Sequence, residues 1–497
     1  MADRSFRLYD TYTHSVRELT TMEPGHLKFY SCGPTVYSYA HIGNFRTFLT
    51  ADLVVRTAEA IGWKVSYVSN ITDVGHLTAD DAESGEDKME KGLKSKEGEQ
   101  FANVWELADY YAEAFKSDWV RLNLRRPLVW PKATQHMREQ IVAVGNLIES
   151  GHAYVTPTGA YFKVASFPNY GELSGNTDKD SLYTAVRDVV VDDYKQDPRD
   201  FALWKKDDKH LMQWFSPWGW GFPGWHIECS VMAMEYLGET IDLHAGGEDL
   251  IFPHHECEIA QSESLTGKRF SNHWVHTKFL QVNGEKMSKS LGNFFTVRDI
   301  VEGKGAEPLA LRYALISQNF GVPHNFTMDL LKDATAKIER YKLCDAEIEG
   351  AAKADRPGED VIGESLNELY EQMLDAMCEN LNTSVALAKA LEGTRVILRE
   401  TALSGASARS GRVFLEKTNE LLGIVRPYED PGDCGGNNKP AGVDEERILT
   451  LIGERTEAKA AKNFAVADQI RKQLDEEGIE LKDTPEGTVW KIKGPTL

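Results

Sequence analysis

Cysteine is scarce in this chain. Six cysteines occur among 497 residues, namely Cys32, Cys229, Cys257, Cys344, Cys378 and Cys434. So few thiols in so long a chain argue against a disulfide framework and favour reduced cysteines, as in the cytosol. Each is therefore available as a buried apolar group or as a metal ligand.

Long apolar runs are lacking as well. No segment approaches the roughly 20 consecutive apolar residues that a membrane-spanning helix needs. Residues 1–6 lack the apolar stretch of an export signal, and no internal repeat is visible. We therefore expect a cytoplasmic protein without a membrane partner. Its 41% hydrophobic and 27% charged residues are typical of a globular protein, and its length allows two or more cores.

Basic residues are fewer than acidic ones: 56 Lys and Arg against 77 Asp and Glu give a net charge of -21. Taken alone, this argues against a nucleic-acid partner. Counterion release depends on the charges at the contact, however, and not on the total. A local basic face on an acidic protein can therefore still bind RNA.

The beginning of the chain predicts a strand, a helix and a second strand. Residues 27–32 form a mostly apolar run before the turn Gly33-Pro34, residues 43–49 have helical character, and residues 64–71 alternate and are rich in β-branched side chains. Such a βαβ unit implies a parallel sheet. Ligands bind beyond the carboxyl ends of the strands in these sheets, where Cys32 and His41 would lie.

The rest of the chain divides by pattern. We predict an exposed loop at 79–100, a helix at 101–122, an insertion with its own turns at 128–222, a second strand–helix run from 224 to about 265, and a helical bundle at 325–427. A Gly-, Pro- and Asn-rich linker at 429–442 then precedes a small unit with two helices and a terminal strand or hairpin near 489–492.

Two short segments have the chemistry of a triphosphate site. His41-Ile42-Gly43-Asn44 follows a strand and opens a helix, so that Gly43 lets a nucleotide approach the backbone while His41 donates to phosphate oxygens. Lys286-Met287-Ser288-Lys289-Ser290 places two lysines in a glycine-bounded loop. Their charge would stabilise a pentavalent phosphorus and a departing pyrophosphate.

Four side chains between and before these segments form a potential metal set. His254 and Glu258 are four apart and share one face of a helix. Cys229 follows the segment Gly224-Trp225-His226-Ile227-Glu228, and Cys32 completes the set from the other half of the sheet. Two thiolates, an imidazole and a carboxylate suit zinc.

The sequence alone leaves other interpretations of this set open. His255 and Cys257 are second choices as ligands, because Cys257 could reach the face of His254. A zinc site with a purely structural role and ordinary buried thiols are further alternatives.

These residues closely resemble the cysteinyl-tRNA synthetase family over nearly the whole chain. The resemblance is carried by YSCGPTVY at 30–37, GWHIECS at 224–230, DLHAGGEDL at 242–250, FPHHECEIAQSE at 252–263, Asn382-Thr383 and KNFAVAD at 462–468, together with the two phosphate segments. The chain differs from the family at Asn44, where histidine is frequent, and at Cys257, where asparagine is usual. It also differs at residues 377–380, where the family is usually more acidic.

The resemblance implies residue roles. It makes Cys32, Cys229, His254 and Glu258 the ligands of one Zn²⁺ and assigns ATP to His41, Gly43, Asn44, Lys286 and Lys289. Thr35, Trp225 and His244 would line the cysteine pocket. Arg455, Lys459 and Lys462 would form a basic stripe for tRNA, although a solvated charged face is the plain alternative.

The resemblance also implies an organisation and an activity. We expect an α/β Rossmann-like catalytic domain with an inserted connective domain, followed by an α-helical bundle and a C-terminal anticodon-binding module. The expected segments are 1–127 and 223–275 for the two catalytic halves, 128–222 for the insertion, 276–324 for the lysine-loop region, 325–428 for the bundle, 429–442 for the linker and 443–497 for the module. The implied reaction joins L-cysteine to tRNA(Cys) with ATP and Mg²⁺, through cysteinyl-adenylate.

Two rival functions share part of this chemistry. A ligase that joins activated cysteine to an amino-sugar would need the adenylation site, but it has no use for the chain after residue 330. A zinc-stabilised RNA-binding protein without catalysis would not need His41, Lys286 or Lys289. The combination of both regions favours the tRNA ligase.

Overall fold

The computed structural model describes residues 4–75, 77, 87–177, 193–288, 292–354, 356–400, 402–427, 451–453, 455, 456, 458, 459, 463–476, 479–484 and 487–492. The chain forms two compact units, Met1–Tyr428 and Glu429–Leu497. The predicted linker, 429–442, lies outside the described residues.

The helices and strands are short to moderate in length. The strands are β1 (Arg7–Asp10), β2 (Ser15–Glu18), β3 (His26–Ser31), β4 (Lys64–Ser69), β5 (Ala153–Thr156), β6 (Gly159–Phe162), β7 (Phe201–Lys206), β8 (Trp214–Ser216), β9 (Gly219–Pro223), β10 (Leu243–Gly247), β11 (Trp274–Thr277), β12 (Leu280–Val282), β13 (Glu285–Lys286), β14 (His324–Phe326), β15 (Ile479–Thr484) and β16 (Gly487–Ile492). The helices are α1 (Ile42–Ala60), α2 (Lys88–Leu93), α3 (Val104–Arg121), α4 (Met137–Glu149), α5 (Trp225–Leu237), α6 (Glu256–Thr266), α7 (Val297–Val301), α8 (Pro308–Ile316), α9 (Met328–Lys353), α10 (Gly363–Cys378), α11 (Thr383–Arg399), α12 (Gly405–Leu422) and α13 (Phe464–Glu476). Among the described residues, no helix is both long enough and apolar enough to cross a membrane.

A four-stranded parallel sheet, in the order β11-β10-β3-β4, is the centre of the first unit. The predicted βαβ unit is present, because β3 and β4 pair in parallel and α1 connects them. Strand β10 pairs with β3, with Leu243 opposite Phe29. This pairing brings residues from the second half of the sequence beside Cys32, as parallel sheets do at their carboxyl ends.

The polar segment before α3 differs from its prediction. Residues 79–86 lie outside the described residues, but Lys88–Leu93 form α2 and not a loop. The side chain of Asp87 accepts hydrogen bonds from the backbone N–H groups of Met89 and Glu90, which caps the helix. Met89 is fully buried. Burial of one apolar side chain and a strong cap thus outweigh a composition that predicts a loop.

A separate antiparallel sheet occupies much of the predicted insertion. Its five strands follow the order β5-β6-β7-β9-β8 and lie between Ala153 and Pro223. Helices α9 to α12 follow in the segment predicted as a bundle, and they pack mainly against one another and against α8 and α1. In the second unit, β15 and β16 form an antiparallel hairpin with Ile479 opposite Ile492.

A buried charge network joins α1 to the helices that follow the sheet. Asp52 on α1 accepts from Arg56 at 2.8 Å and also from Arg312 on α8. Arg312 also donates to the Leu422 carbonyl at the end of α12, at 2.9 Å, and Gly423 follows with a φ of +67°. A Cβ at Gly423 would lie 2.7 Å from the Arg312 guanidinium carbon, so both the backbone and the available space require glycine there.

Candidate active site

The four predicted metal ligands converge at the carboxyl end of the central sheet. Cys32 directly follows β3, and its N–H donates to the Ala245 carbonyl of β10 at 3.1 Å. Cys229 lies on α5, and Glu258 lies on α6. One ligand atom from each of Cys32, Cys229, His254 and Glu258 lies within 4.8 Å of the others, and all four side chains are buried.

Close packing of the strand ends positions Cys32. The next residue, Gly33, donates its N–H to the Asn70 side chain at 2.8 Å. A Cβ at Gly33 would lie only 1.7 Å from the Asn70 carbonyl oxygen, so no larger residue fits between the ends of β3 and β4. This close packing of the backbone at Gly33 and Asn70 fixes the position of the neighbouring Cys32.

His254 and Glu258 share a face, as their spacing predicts. The helical turn at Ile251–His255 is irregular, because Phe252 has non-helical backbone angles, and α6 continues from Glu256. His254 Nε2 lies 3.0 Å from Glu258 Oε1. The Cys32 thiol lies 3.6 Å from the same oxygen.

The two alternative ligands have different surroundings. His255 Nε2 lies 3.3 Å from Cys32 Sγ, and Cys32, His244, His255 and Glu258 form a second potential ligand group that overlaps the first. Cys257 lies 3.4 Å from the Tyr170 hydroxyl. Within the part of the chain that the structure describes, neither ligand group includes Cys257. His255 therefore remains an alternative, while Cys257 belongs to other packing.

Two of the four potential ligands, Glu258 and Cys229, are ionised near neutral pH. Burial alone would raise the pKa of Glu258, but the charges and hydrogen bonds of His244 and His254 outweigh it and lower the pKa to about 2. Burial would also raise the pKa of Cys229, but hydrogen bonds from Cys32 and His254 lower it to about 6. This carboxylate and this thiolate are the forms that a zinc ion binds. Burial raises the pKa of Cys32. Burial would lower the pKa of His254, but Glu258 and Cys229 raise it to about 10. Cys32 and His254 would therefore each release a proton on binding the metal.

A further set of histidines supports this cluster, and sequence reasoning missed it. His226 Nδ1 lies 2.8 Å from His254 Nδ1, and His276 Nε2 lies 2.7 Å from His255 Nδ1. Burial lowers the pKa of His226, of His255 and of His276, so these rings stay neutral. Partners at the second ring nitrogen fix the orientation of a potential ligand. In the sequence, the only sign of such a role is that His226 and His276 lie near the ends of a helix and a strand. Their pairing with His254 and His255 could not be predicted, because it depends on how distant segments pack.

A cleft of about 560 Å³ borders the cluster. Cys32, Thr35, Trp225, His41 and Asn44 are among the residues that line it, so the structure brings one predicted metal ligand together with two of the predicted pocket residues and two of the predicted ATP residues. Trp225 lies on the His254 ring, with centroids 4.3 Å apart.

His244, predicted to line the cysteine pocket, lies beside Glu258 at the base of the cluster. It is fully buried, its Nε2 lies 2.9 Å from Glu258 Oε2, and its ring stacks on Trp274 with centroids 4.6 Å apart. Its contacts orient Glu258, and its role in binding cysteine stays a prediction.

The first phosphate segment caps α1 with its own side chains. The Asn44 N–H donates to His41 Nδ1 at 3.1 Å, and the His41 N–H donates to Asn44 Oδ1 at 3.1 Å. Burial lowers the pKa of His41 to about 4. Since Nδ1 is an acceptor in a neutral ring, Nε2 carries the proton and is a donor, as binding of phosphate oxygens requires.

The second phosphate segment lies directly against the first. A Cβ at Gly43 would lie 2.5 Å from the Met287 methyl carbon, and the Ile42 N–H donates to the Phe295 carbonyl at 2.9 Å. The Met287 methyl group thus occupies the space beside Gly43 in this structure, and the approach of a nucleotide to Gly43 stays a prediction. The Ser288 N–H donates to Asn293 Oδ1 at 2.8 Å, whereas Lys289 lies outside the described residues.

The predicted tRNA residues do not form a common exposed stripe. Arg455 is buried, with 2% of its surface exposed, so its guanidinium does not face solvent as the sequence predicts. Lys459 is exposed, and Lys462 lies outside the described residues. Helical spacing alone could not distinguish a buried arginine from an exposed one, because arginine packs its long stem against apolar neighbours.

Comparison with known proteins identifies the family of the chain. Residues 18–336 match the family described as tRNA synthetases class I (C) catalytic domain. The cysteine–tRNA ligase of Salinibacter ruber is 54% identical over 99% of both chains, and that of Chlorobaculum tepidum is 40% identical over 98% of this chain and 99% of its own.

A solved structure shares the fold at low sequence identity. Mycobacterium tuberculosis methionyl-tRNA synthetase bound by methionyl-adenylate superimposes with a TM-score of 0.57 at 13% identity, and the match covers 80% of this chain and 92% of the other. The matched catalytic domain and the full-length relatives together show that this chain belongs to the cysteine–tRNA ligase family of class I aminoacyl-tRNA synthetases.

Proposed function

We propose that the chain activates L-cysteine with ATP to cysteinyl-adenylate and transfers the cysteinyl group to the 3′ end of tRNA(Cys), with zinc selecting the substrate thiolate. The observation that carries the proposal is the buried Cys32–Cys229–His254–Glu258 cluster at the edge of a cleft that also holds His41 and Asn44. A metal site beside a nucleotide site can bind and select the substrate amino acid when that amino acid, as with cysteine, is itself a metal ligand.

The donor set supports zinc. Two sulfurs, one imidazole nitrogen and one carboxylate oxygen lie close enough together to hold one ion. When bound, zinc would supply a soft Lewis acid that prefers a thiolate to a hydroxyl oxygen, which separates cysteine from serine. The chain itself keeps Glu258 ionised and orients its ligands through His226 and His244.

Activation requires positioning and charge stabilisation, and no nucleophilic side chain. The cysteine carboxylate attacks the α-phosphorus of ATP in line, and pyrophosphate leaves. The Nε2–H of His41 and the amide of Asn44 would donate to phosphate oxygens, while Lys286 and Lys289 together with Mg²⁺ would stabilise the charge on the transferring group. The ribose hydroxyl at the tRNA 3′ end then attacks the activated carbonyl and releases AMP.

Recognition of tRNA is assigned to the second unit, as the resemblance implies. Its exposed Lys459 and the neighbouring Lys462 are the remaining basic candidates, because Arg455 is buried. Lysine contacts to phosphates would make binding dependent on salt concentration.

Cysteine-dependent exchange of pyrophosphate into ATP tests this proposal directly, with serine as the matched control substrate. We expect exchange with cysteine and little with serine. Zinc should be removed from the protein with a chelator, and the chelator should then be replaced by excess Mg²⁺ for the assay; exchange with cysteine should be abolished, and added zinc should restore it. Exchange that is equal for cysteine and serine, or unaffected by complete zinc removal, would refute the role given to zinc.

A further inference from the structure

Arg46 connects α1, which begins within the first phosphate segment, to the residues that precede the second phosphate segment, Lys286–Ser290. It lies two residues after Asn44 on α1 and is buried, with 2% of its surface exposed. Its guanidinium donates to four backbone carbonyls, those of Lys278, Phe279 at 3.2 Å, Asn319 at 3.0 Å and Val322 at 2.7 Å. A planar guanidinium can donate in several fixed directions at once, and lysine cannot.

Glu248 binds the same two residues from another part of the fold. It follows β10 directly, and its carboxylate accepts from the Phe279 N–H at 2.6 Å and from Lys278 Nζ at 2.7 Å. Lys278 and Phe279 are thus bound through their carbonyls by Arg46 and through an N–H and an ammonium group by Glu248. We refer to this arrangement of Arg46, Glu248, Lys278 and Phe279 as the backbone clamp.

A short, stiff connection runs from the backbone clamp to the lysine loop. Strand β12 begins at Leu280, immediately after the clamp, and pairs with β14. Asn283 and Gly284 have φ values of 55° and 81°, which form a tight two-residue hairpin turn into β13. Lys286 ends β13, and its ammonium group lies 5.4 Å from the Phe279 ring centroid.

The far side of the loop is fastened as well. Asn293 accepts from the Ser288 N–H at 2.8 Å and donates to the Lys286 carbonyl at 3.2 Å. A displacement of Lys278 and Phe279 would therefore be transmitted through the hairpin to Lys286 and would not be absorbed by a slack loop.

We propose that Arg46 and Glu248 are positioning residues that hold Lys286, at the start of the lysine loop, in register with the His41–Asn44 segment. The inference rests on the proposed function, because the register matters when both segments bind one ATP molecule. A misplacement of about 1 Å between groups that act on one transition state can reduce a rate by roughly 100-fold. Neither residue is expected to touch cysteine.

Arg56 provides a matched control. It is a second buried arginine on α1 and also donates to backbone carbonyls, at 2.9 Å to Asn419 and 2.9 Å to Glu420, but it has no contact with the backbone clamp. Arg46→Lys and Arg56→Lys therefore remove the same chemical group from the same helix. Only Arg46→Lys changes the base of the lysine loop.

The test combines exchange kinetics with amide hydrogen exchange on the full-length protein. We expect Arg46→Lys to lower kcat of cysteine-dependent pyrophosphate exchange by about tenfold or more, with the KM for cysteine within about twofold of wild type. Amide hydrogen exchange in the 278–288 segment should become faster. Arg56→Lys should change neither kcat nor the rate of amide hydrogen exchange at 278–288 by more than about twofold. This should hold even if Arg56→Lys lowers the thermal unfolding midpoint as much as Arg46→Lys does.

Glu248 supplies the second arm. Glu248→Ala should lower kcat in the same way, and Glu248→Gln should restore part of it, since its amide oxygen still accepts from the Phe279 N–H. If Arg46→Lys and Arg56→Lys have equal effects on kcat and on hydrogen exchange at 278–288, the inference is wrong. Absence of cysteine-dependent exchange in the wild type would instead refute the proposed function, while hydrogen exchange would still test the clamp.

Discussion

At the scale of single residues, two buried cysteines allow a direct test of the metal site. Cys229 belongs to the ligand group, whereas Cys257 lies against the Tyr170 hydroxyl outside it. Cys229→Ser should abolish zinc binding and cysteine activation together, because a hydroxyl stays protonated at neutral pH and is a poor zinc ligand. Cys257→Ser should retain both. Elemental analysis beside pyrophosphate exchange is the measurement, and full zinc content with normal activity in Cys229→Ser would remove that residue from the site.

Charge in the lysine loop leads to a second prediction at this scale. Lys286→Met and Lys289→Met should each slow adenylate formation more than they weaken cysteine binding, because the developing charge on pyrophosphate is greatest in the transition state. The expected loss is roughly 2–4 kcal/mol of transition-state stabilisation. Lys268→Met, which removes an exposed lysine paired with Glu239, is the control. Rapid-quench measurement of adenylate formation at the wild-type rate would contradict the assignment.

At the scale of helices, the network around Asp52 connects α1 to α8 and to the end of α12. Burial would raise the pKa of Asp52, but Arg312 and Arg56 outweigh it and lower the pKa below its ordinary value. A carboxyl group with a lowered folded-state pKa stabilises the fold above its unfolded pKa of about 3.9, and this stabilisation disappears as the pH falls through the folded-state pKa. Asp52→Asn should therefore cost about 3–5 kcal/mol at neutral pH, because two buried arginines lose their partner.

Denaturant unfolding at pH 7 and at several values down to about pH 3 measures this effect. The variant should show a shallower loss of stability on acidification than wild type, since it lacks one of the carboxyls that must be protonated. Asp333→Asn removes a carboxylate that is 59% exposed and paired with Lys337, so it should cost about 0–1 kcal/mol. Similar losses for both variants at neutral pH would show that the Asp52 network does not stabilise the fold.

The same elements show which features could be predicted from the sequence. The βαβ unit was predicted correctly, because apolar and β-branched runs separated by a turn report local structure. The convergence of Cys32, Cys229, His254 and Glu258 follows from one helical spacing and from strand ends that meet at one edge. Two other features could not be predicted, namely the partners of His226 and His276 and the burial of Arg455. Both depend on which distant segments pack together. Helix α2 was missed because its stabilising burial is tertiary.

At the scale of the whole chain, the division after Tyr428 separates the proposed chemistry from the proposed tRNA recognition. The first unit contains all of the proposed zinc and ATP residues, together with the network that joins α1 to the bundle helices. A chain that ends at Tyr428 should therefore retain cysteine-dependent pyrophosphate exchange within about twofold of full length. It should charge tRNA less efficiently, because it lacks Lys459, Lys462 and the rest of the second unit, whose phosphate contacts contribute a salt-dependent part of the affinity.

Both activities should be measured on the full-length and shortened chains across a range of salt concentrations. We expect the difference in charging efficiency to narrow as salt rises, because counterion release then contributes less to the affinity of the full-length chain. Lys459→Ala in the full-length chain is a milder variant that leaves folding of the first unit unchanged, and it should weaken charging without affecting exchange. Equal charging by both chains would show that residues 443–497 do not bind the anticodon region. Loss of exchange on truncation would show that the first unit depends on the second for folding, because all of the groups proposed to act in activation would still be present.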